Sequence, residues 1–263
     1  MAADARGSGS QLSDPRLTLV PVGVGAAYAR HGEVQSCHLV RAGGAAVAVD
    51  LGSGTLNRLQ AHVAPEDLAA LVITHMHPDH CVDLLALRVY MAWGPGAGRT
   101  VRVIGPPGLR DRLAAFAGSE GWEPGLRFEE LAPEGGELEL GGGLTVRHRP
   151  VPHLDPTHAV RVQHGGAAVC LGADCAPGDA LPELAAGCDL LVLECTFGAD
   201  PVPEGVPHLN ASAAGALAAR AGARRLLLTH CQPEHDRDAA LAAARAAFGG
   251  PVGWAVQDTP VPA

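Results

Sequence analysis

Within the six residues His75-Met76-His77-Pro78-Asp79-His80 stand three imidazoles and a carboxylate, directly after the apolar run Leu68-Ala69-Ala70-Leu71-Val72-Ile73. Neutral imidazole and carboxylate are the nitrogen and oxygen donors that hold zinc and similar divalent ions. In an extended chain alternate residues share a face, so His77 follows His75, and Asp79 would follow both if the chain stayed extended. Pro78 disfavours the α region for the residue before it, which keeps His77 extended. From Cys81 to Tyr90 the pattern is helical, so His80 swings away at a helix start. A histidine pair and an Asp/His pair that diverge in this way can hold two adjacent cations. Two cations about 3.5–4 Å apart make a hydrolytic site, because they share a water, lower its pKa and present hydroxide to an electrophile. A loop with surface histidines accounts for any one of these residues, but not for four ligand types in six positions behind a buried strand.

The elements that must position this cluster are legible as periodicity. Apolar or alternating runs predict strands over 17–22, 38–41, 45–51, 68–74, 100–105, 144–151, 159–164, 167–172, 190–195, 225–229 and 252–256. Helical spacing predicts helices over 56–63, 81–93, 108–117, 211–221 and 236–248, the last two rich in alanine, a strong helix former. Strands outnumber crossovers, which fits an α/β chain with two sets of strands flanked by helices, a four-layer αββα sandwich.

Composition bounds the rest. The 263 residues suffice for one large domain, expected over 15–263 with no internal linker, and residues 1–14 read as a flexible polar tail. No run approaches the roughly 18 apolar residues that cross a membrane, and no signal-peptide pattern opens the chain, so a cytoplasmic protein is expected. The seven cysteines are scattered, odd in number and without a CxxC pair, which argues against a disulfide framework or a zinc knuckle. Cys81 directly follows the candidate ligand His80, but chain neighbours point in different directions, so it is expected to point away from the ions. Neither a GxSxG elbow nor a Walker lysine is present.

The hexapeptide and its surroundings resemble the metallo-β-lactamase superfamily, most closely the branch that contains ribonuclease Z and related phosphodiesterases. Val22-Gly23-Val24-Gly25 is similar to that branch's opening turn, and Asp50-Leu51-Gly52-Ser53-Gly54-Thr55 to its DxGxGT segment. The resemblance implies the αββα sandwich of the metallo-β-lactamase type and further site residues. A later histidine ligand is expected at His153, in preference to His148. An Asp closing a strand matches Asp174, and a histidine after an apolar strand matches His230. His75, His77 and His153 then hold a first ion and Asp79, His80 and His230 a second, with Asp174 shared. Asp50 is expected to support a ligand rather than bind. Glu194-Cys195-Thr196-Phe197 resembles the branch's EATF strand end and Pro207-His208-Leu209-Asn210-Ala211 its HSTA helix start, with Leu209-Asn210 departing from Ser-Thr. Glu194 and His208 are thereby assigned to protonating the leaving oxygen, and Asp79 with Asp174 to orienting the nucleophile. The ions are expected to be zinc, with manganese or iron as alternatives.

The resemblance leaves the substrate open. Transfer-RNA endonucleases of the branch carry an arm between the ligand histidine and the bridging Asp, whereas only twenty residues separate His153 from Asp174, enough for two strands and a turn. The chain is formally −9, with 19 arginines and no lysine, and residues 119–140 hold seven glutamates against one arginine. Extended nucleic-acid binding needs many cationic contacts to phosphate, so a small-molecule substrate is expected. A phosphodiesterase ranks first, a thioester, ester or lactone hydrolase next, a ribonuclease Z-like tRNA 3′-end endonuclease third. An iron oxidoreductase on the same fold is a further alternative, although those that reduce oxygen place Glu where His77 stands. Homodimerisation is common among relatives and is a weaker expectation. The remaining histidines, among them His31, His38, His148 and His158, have no ligand-like spacing and read as surface or strand residues, with the substrate entrance as an alternative for His31 and His158.

Overall fold

The computed structural model describes residues 15–118 and 124–263; the tail expected over 1–14 lies outside them. The first half runs β1 (Thr18–Gly23), β2 (Cys37–Ala42), β3 (Ala45–Val49), α1 (Thr55–Leu59), a 3₁₀ turn (Pro65–Asp67), β4 (Ala70–Val72), α2 (Pro78–Cys81), α3 (Leu84–Trp93), β5 (Val101–Gly105), α4 (Leu109–Ala117) and β6 (Leu126–Glu130). The second half runs β7 (Gly136–Gly141), β8 (Leu144–Val151), β9 (Thr157–His164), β10 (Ala167–Leu171), α5 (Ala180–Leu184), β11 (Leu190–Glu194), α6 (Ala211–Ala221), β12 (Leu226–Thr229), α7 (Arg237–Phe248) and β13 (Val252–Trp254). A short β14 (Val261–Pro262) returns to pair with β1, so one sheet has the order β14-β1-β2-β3-β4-β5-β6 and the other β13-β12-β11-β10-β9-β8-β7.

Side-chain alternation builds the layers. In β3, Val47 and Val49 point between the sheets while Ala46 and Ala48 point to the helices, so both faces are buried and the strand reads as unbroken apolar sequence. Between the sheets, Val40, Val72 and Ile104 meet Val146, Val160, Val169 and Val192. Outside, α3 lays Leu84, Leu87 and Met91, spaced three and four apart, on the first sheet. On the other side α6 lays Ala214, Leu217, Ala218 and Ala221 on the second. The result is the four-layer αββα sandwich expected.

Strand direction then places the candidate ligands. β3, β4 and β5 are parallel neighbours, as are β10, β11 and β12, with Val49 opposite Val72 and Glu194 opposite Thr229. Parallel neighbours end at one edge, so Asp50 and the His75 segment emerge together, as do Asp174, Glu194 and His230.

Several elements depart from expectation. The helix expected over 81–93 breaks at Val82-Asp83, where Asp83 Oδ2 accepts from Leu56 N–H at 2.9 Å and ties α1 to this corner. The glutamate-bearing stretch contains β6 and β7, each a sheet edge, the side chains of β7 largely exposed and those of β6 partly so. Charged edges of this kind block pairing with other chains, and they also hide the strand pattern. Among the described residues no helix is long and apolar enough to cross a membrane.

Candidate metal centre

Asp50, just beyond β3, adopts a left-handed φ of 64°, uncommon for a residue with a side chain, and its carboxylate organises the first half of the site. Oδ1 accepts from Thr74 N–H at 2.8 Å and from its hydroxyl at 2.9 Å, while Oδ2 lies 2.7 Å from His80 Nδ1. Thr74 Oγ1 stands 3.0 Å from His75 Nδ1. These contacts assign the proton of each ring to Nδ1 and leave each Nε2 free to face the donor cluster. His77 is the N-cap of α2, extended at φ −66° and ψ 144°, with Pro78 in the first helical position. Asp79 and His80 are therefore helical and leave the face shared by His75 and His77. The start of α2 is seated on the chain after β3: Leu51 N–H donates to His80 O at 2.7 Å, and a Cβ on Gly52 would stand 1.9 Å from Asp79 O. Only glycine permits that approach.

The second half supplies the remaining groups. His153, in the loop after β8, has Nδ1 3.0 Å from Pro207 O and Nε2 3.3 Å from His77 Nδ1. Asp174 follows Ala173, which has φ 55°, and His230 itself has φ 53°. Three of the four described non-glycine residues with positive φ thus belong to or adjoin this site, where such strain concentrates. His230 Nε2 faces Asp79 Oδ2 at 3.2 Å and Asp174 Oδ2 at 3.5 Å, and His80 Nε2 faces Asp174 Oδ1 and Asp79 Oδ2, each at 3.5 Å.

Two sets result. His75, His77, His153 and Asp174 offer ligand atoms within 4.8 Å of one another, as do Asp79, His80, Asp174 and His230, with Asp174 common to both. All seven residues named from the sequence meet here. His75 Nε2 is buried with no hydrogen-bond partner among the described residues, an orphan that a cation would satisfy. The donors are all nitrogen or carboxylate oxygen; the seven cysteines are buried and free, and none joins either set. This donor set fits zinc and leaves manganese or iron admissible.

Electrostatics agree. Burial, reinforced by the neighbouring His80, holds the His75 pKa well below its usual value, leaving a neutral ring with a lone pair to give. Burial opposes charge on His80 and His230, yet Asp174, with Asp50 beside the first and Asp79 beside the second, outweighs it and raises both. Burial pushes Asp174 up, but His230 and His80 hold it well below the ordinary carboxylate range. Protons thus gather where cations would neutralise the same carboxylates, and an arriving ion would displace them.

Beside this cluster Glu194 Oε1 accepts from Cys175 N–H at 2.9 Å and lies 2.9 Å from His208 Nδ1. Its Oε2 accepts from Thr196 N–H at 3.2 Å and from the Thr196 hydroxyl. Four contacts fill this carboxylate, so although Asp174, Glu194 and His208 also lie within ligand reach of one another, Glu194 has nothing left for an ion. Burial works against a charged His208, but the Glu194 hydrogen bond and charge raise its pKa. Thr196 Oγ1 also stands 3.1 Å from His230 Nδ1, linking the Glu194–His208 pair to a metal-facing ring. No role for Thr196 is legible from spacing; only the shared edge of β11 and β12 reveals it. Asn210 caps α6 by accepting from Ala213 N–H at 2.9 Å, so the departure from Ser-Thr keeps the helix start that carries His208.

Two other histidines stand apart from the ligand sets. His148 and His158 are buried on β8 and β9 with ring centroids 5.0 Å apart, and neither joins the ligand sets. His158 is a strand residue, buried away from any entrance, and its backbone N–H donates to Thr74 O at 3.0 Å.

Comparison with known proteins gives concordant findings. Residues 46–231 match the family model described as a beta-lactamase superfamily domain. The protein Rv1339 of Mycobacterium tuberculosis (strain ATCC 25618 / H37Rv) is 33% identical over 218 residues, covering 81% of this chain and 79% of that one. A ribonuclease Z of Mycobacterium bovis (strain BCG / Pasteur 1173P2) is 32% identical over 222 residues, covering 74% of this chain and 79% of its own. The crystal structure of the metallo-beta-lactamase fold protein YhfI from Bacillus subtilis superposes with a TM-score of 0.84 at 25% identity, covering 94% of this chain and all of that one.

Proposed function

The chain belongs to the metallo-β-lactamase superfamily, and from that premise we propose that it is a two-metal hydrolase of phosphodiesters carried by a small molecule. The observation that carries the reading is the pair of four-residue donor sets joined at Asp174, with the Glu194–His208 pair beside them. A pair of divalent ions, proposed here to be zinc, supplies an acidified water and neutralises charge on the substrate's oxygens.

The chain's own residues do the rest. Asp79 and Asp174 present carboxylate oxygens around His230 Nε2 and orient the attacking water. Glu194 holds His208 by Nδ1, which leaves Nε2 to hand a proton to the departing oxygen. Thr196 fixes both Glu194 and His230. The twenty residues between His153 and Asp174 are occupied by β9, its turn and β10, and nothing projects from them to grip a large polyanion. This favours a small diester over a folded RNA.

The test compares zinc-loaded wild type and His208→Ala on two diesters and on thioester and lactone substrates. A nitrophenyl diester has a leaving group stable without a proton, whereas a cyclic nucleotide expels an alkoxide that needs one. His208→Ala should lower kcat by about 10²–10⁴ on the cyclic nucleotide and much less on the nitrophenyl ester, with metal content retained. Turnover of acyl substrates alone, or full activity of His208→Ala on the cyclic nucleotide, contradicts the proposal.

A further inference from the structure

Four of the five metal-facing histidines have a partner within hydrogen-bond reach of the nitrogen turned away from the ions: Thr74 for His75, Asp50 for His80, Pro207 O for His153 and Thr196 for His230. Such partners fix a ligand's tautomer and ring orientation. The fifth, His77, turns Nδ1 toward His153, so its far nitrogen is Nε2. The acceptor against that atom is Asp155, whose Oδ2 lies 3.9 Å away, an ion-pair separation rather than a hydrogen bond. The same oxygen receives Arg112 at 3.1 Å. Arg112 comes from α4 in the first half of the chain and Asp155 from the loop that carries His153 in the second, so the carboxylate is held between the two halves, beside the two rings that must meet.

We propose that Asp155 is the positioning residue for His77, accepting a hydrogen bond from its Nε2–H while Nδ1 faces the ion, with Arg112 holding the carboxylate in place. The inference rests on the two-ion reading given above. Partners of this kind change metal affinity by about 10–100-fold. The His77 and Asp155 side chains are 28% and 30% exposed, so water competes and the lower end is expected.

The test is the stepwise zinc affinity of the full chain, measured by competition with a chromophoric chelator. Anomalous diffraction from partly stripped crystals identifies which position empties. Asp155→Ala should weaken zinc at the three-histidine position by about tenfold and leave the other unchanged. Asp155→Asn, which keeps an amide oxygen as acceptor, should recover most of the loss. Arg112→Gln, which breaks the link between halves but leaves the carboxylate, should lose less than Asp155→Ala. Equal losses in Arg112→Gln and Asp155→Ala would mean that joining the halves is what matters, and would overturn the assignment, as would unchanged affinity in Asp155→Ala. Two zinc ions in wild type with no effect of Asp155→Ala overturns this inference alone; a wild type that binds no zinc overturns the two-ion reading as well.

Discussion

His38 lies on β2 with 7% of its surface exposed, and its Nδ1 has no hydrogen-bond partner among the described residues. A cavity of about 20 Å³ beside it is bordered by His80, Asp174 and His230, on the inner side of the donor cluster. Burial, with the neighbouring charges of His80 and His230, lowers its pKa from 6.5 to about 4. In the unfolded chain the ring takes a proton near 6.5, in the folded chain only near 4. The unfolded state therefore binds more protons throughout that window, and stability falls as pH falls through it. Full stability from this group is present above 6.5. The loss between about pH 8 and about pH 5 is about 2 kcal/mol, and it levels off below about pH 4 at about 3 kcal/mol. The perturbation is His38→Leu, and the measurement is urea unfolding of both proteins at several pH values. Both proteins are measured free of metal, the state in which the charges of His80 and His230 act on the ring. Wild type should lose about 2 kcal/mol more than His38→Leu on going from about pH 8 to about pH 5. Parallel stability curves would show that the ring is solvated or paired, and would refute the reasoning.

Two further outcomes follow from contacts at the site. Thr196→Val keeps the side-chain shape but removes the hydroxyl shared by Glu194 and His230, and should weaken zinc at the position served by His230 by about 10–100-fold in chelator competition; unchanged affinity would remove Thr196 from the network. Gly52→Ala drives a methyl group against Asp79 O and should cost about 3 kcal/mol in urea unfolding, the upper end for overpacking, because backbone rather than a flexible side chain is in the way; a loss under about 1 kcal/mol would show that α2 can shift freely.

Much of this arrangement was legible in the sequence because it rests on strands buried on both faces. The runs 45–49 and 190–193 have no polar face to blur them, and the acids that follow them stand out as Asp50 and Glu194. β6 and β7 escaped notice for the opposite reason, since edge strands show their charged side chains to solvent. His75, His77, Asp79 and His80 could be named because His and Asp in tight order have few structural uses, whereas His153, Asp174 and His230 could be named only through the family resemblance. Thr196, Asp155 and His38 could not be so named. Threonine, aspartate and histidine are common at strand ends and in loops, and what distinguishes these three is contact across elements: β11 with β12, α4 with the β8–β9 loop, and β2 with the inner side of the donor cluster. Such contacts exist only after the sheets have paired. His158, read as a surface or strand residue, lies on β9, where alternation takes its side chain inward.

The most direct test of the account is the number of metal ions per chain. After loading with zinc and removal of excess, elemental analysis should find about two ions per wild-type chain and about one or fewer in Asp174→Ala, because that carboxylate belongs to both sets. One ion or none in wild type, or two ions held undiminished without Asp174, would contradict the claim that seven side chains drawn from both halves of the sandwich hold a shared pair.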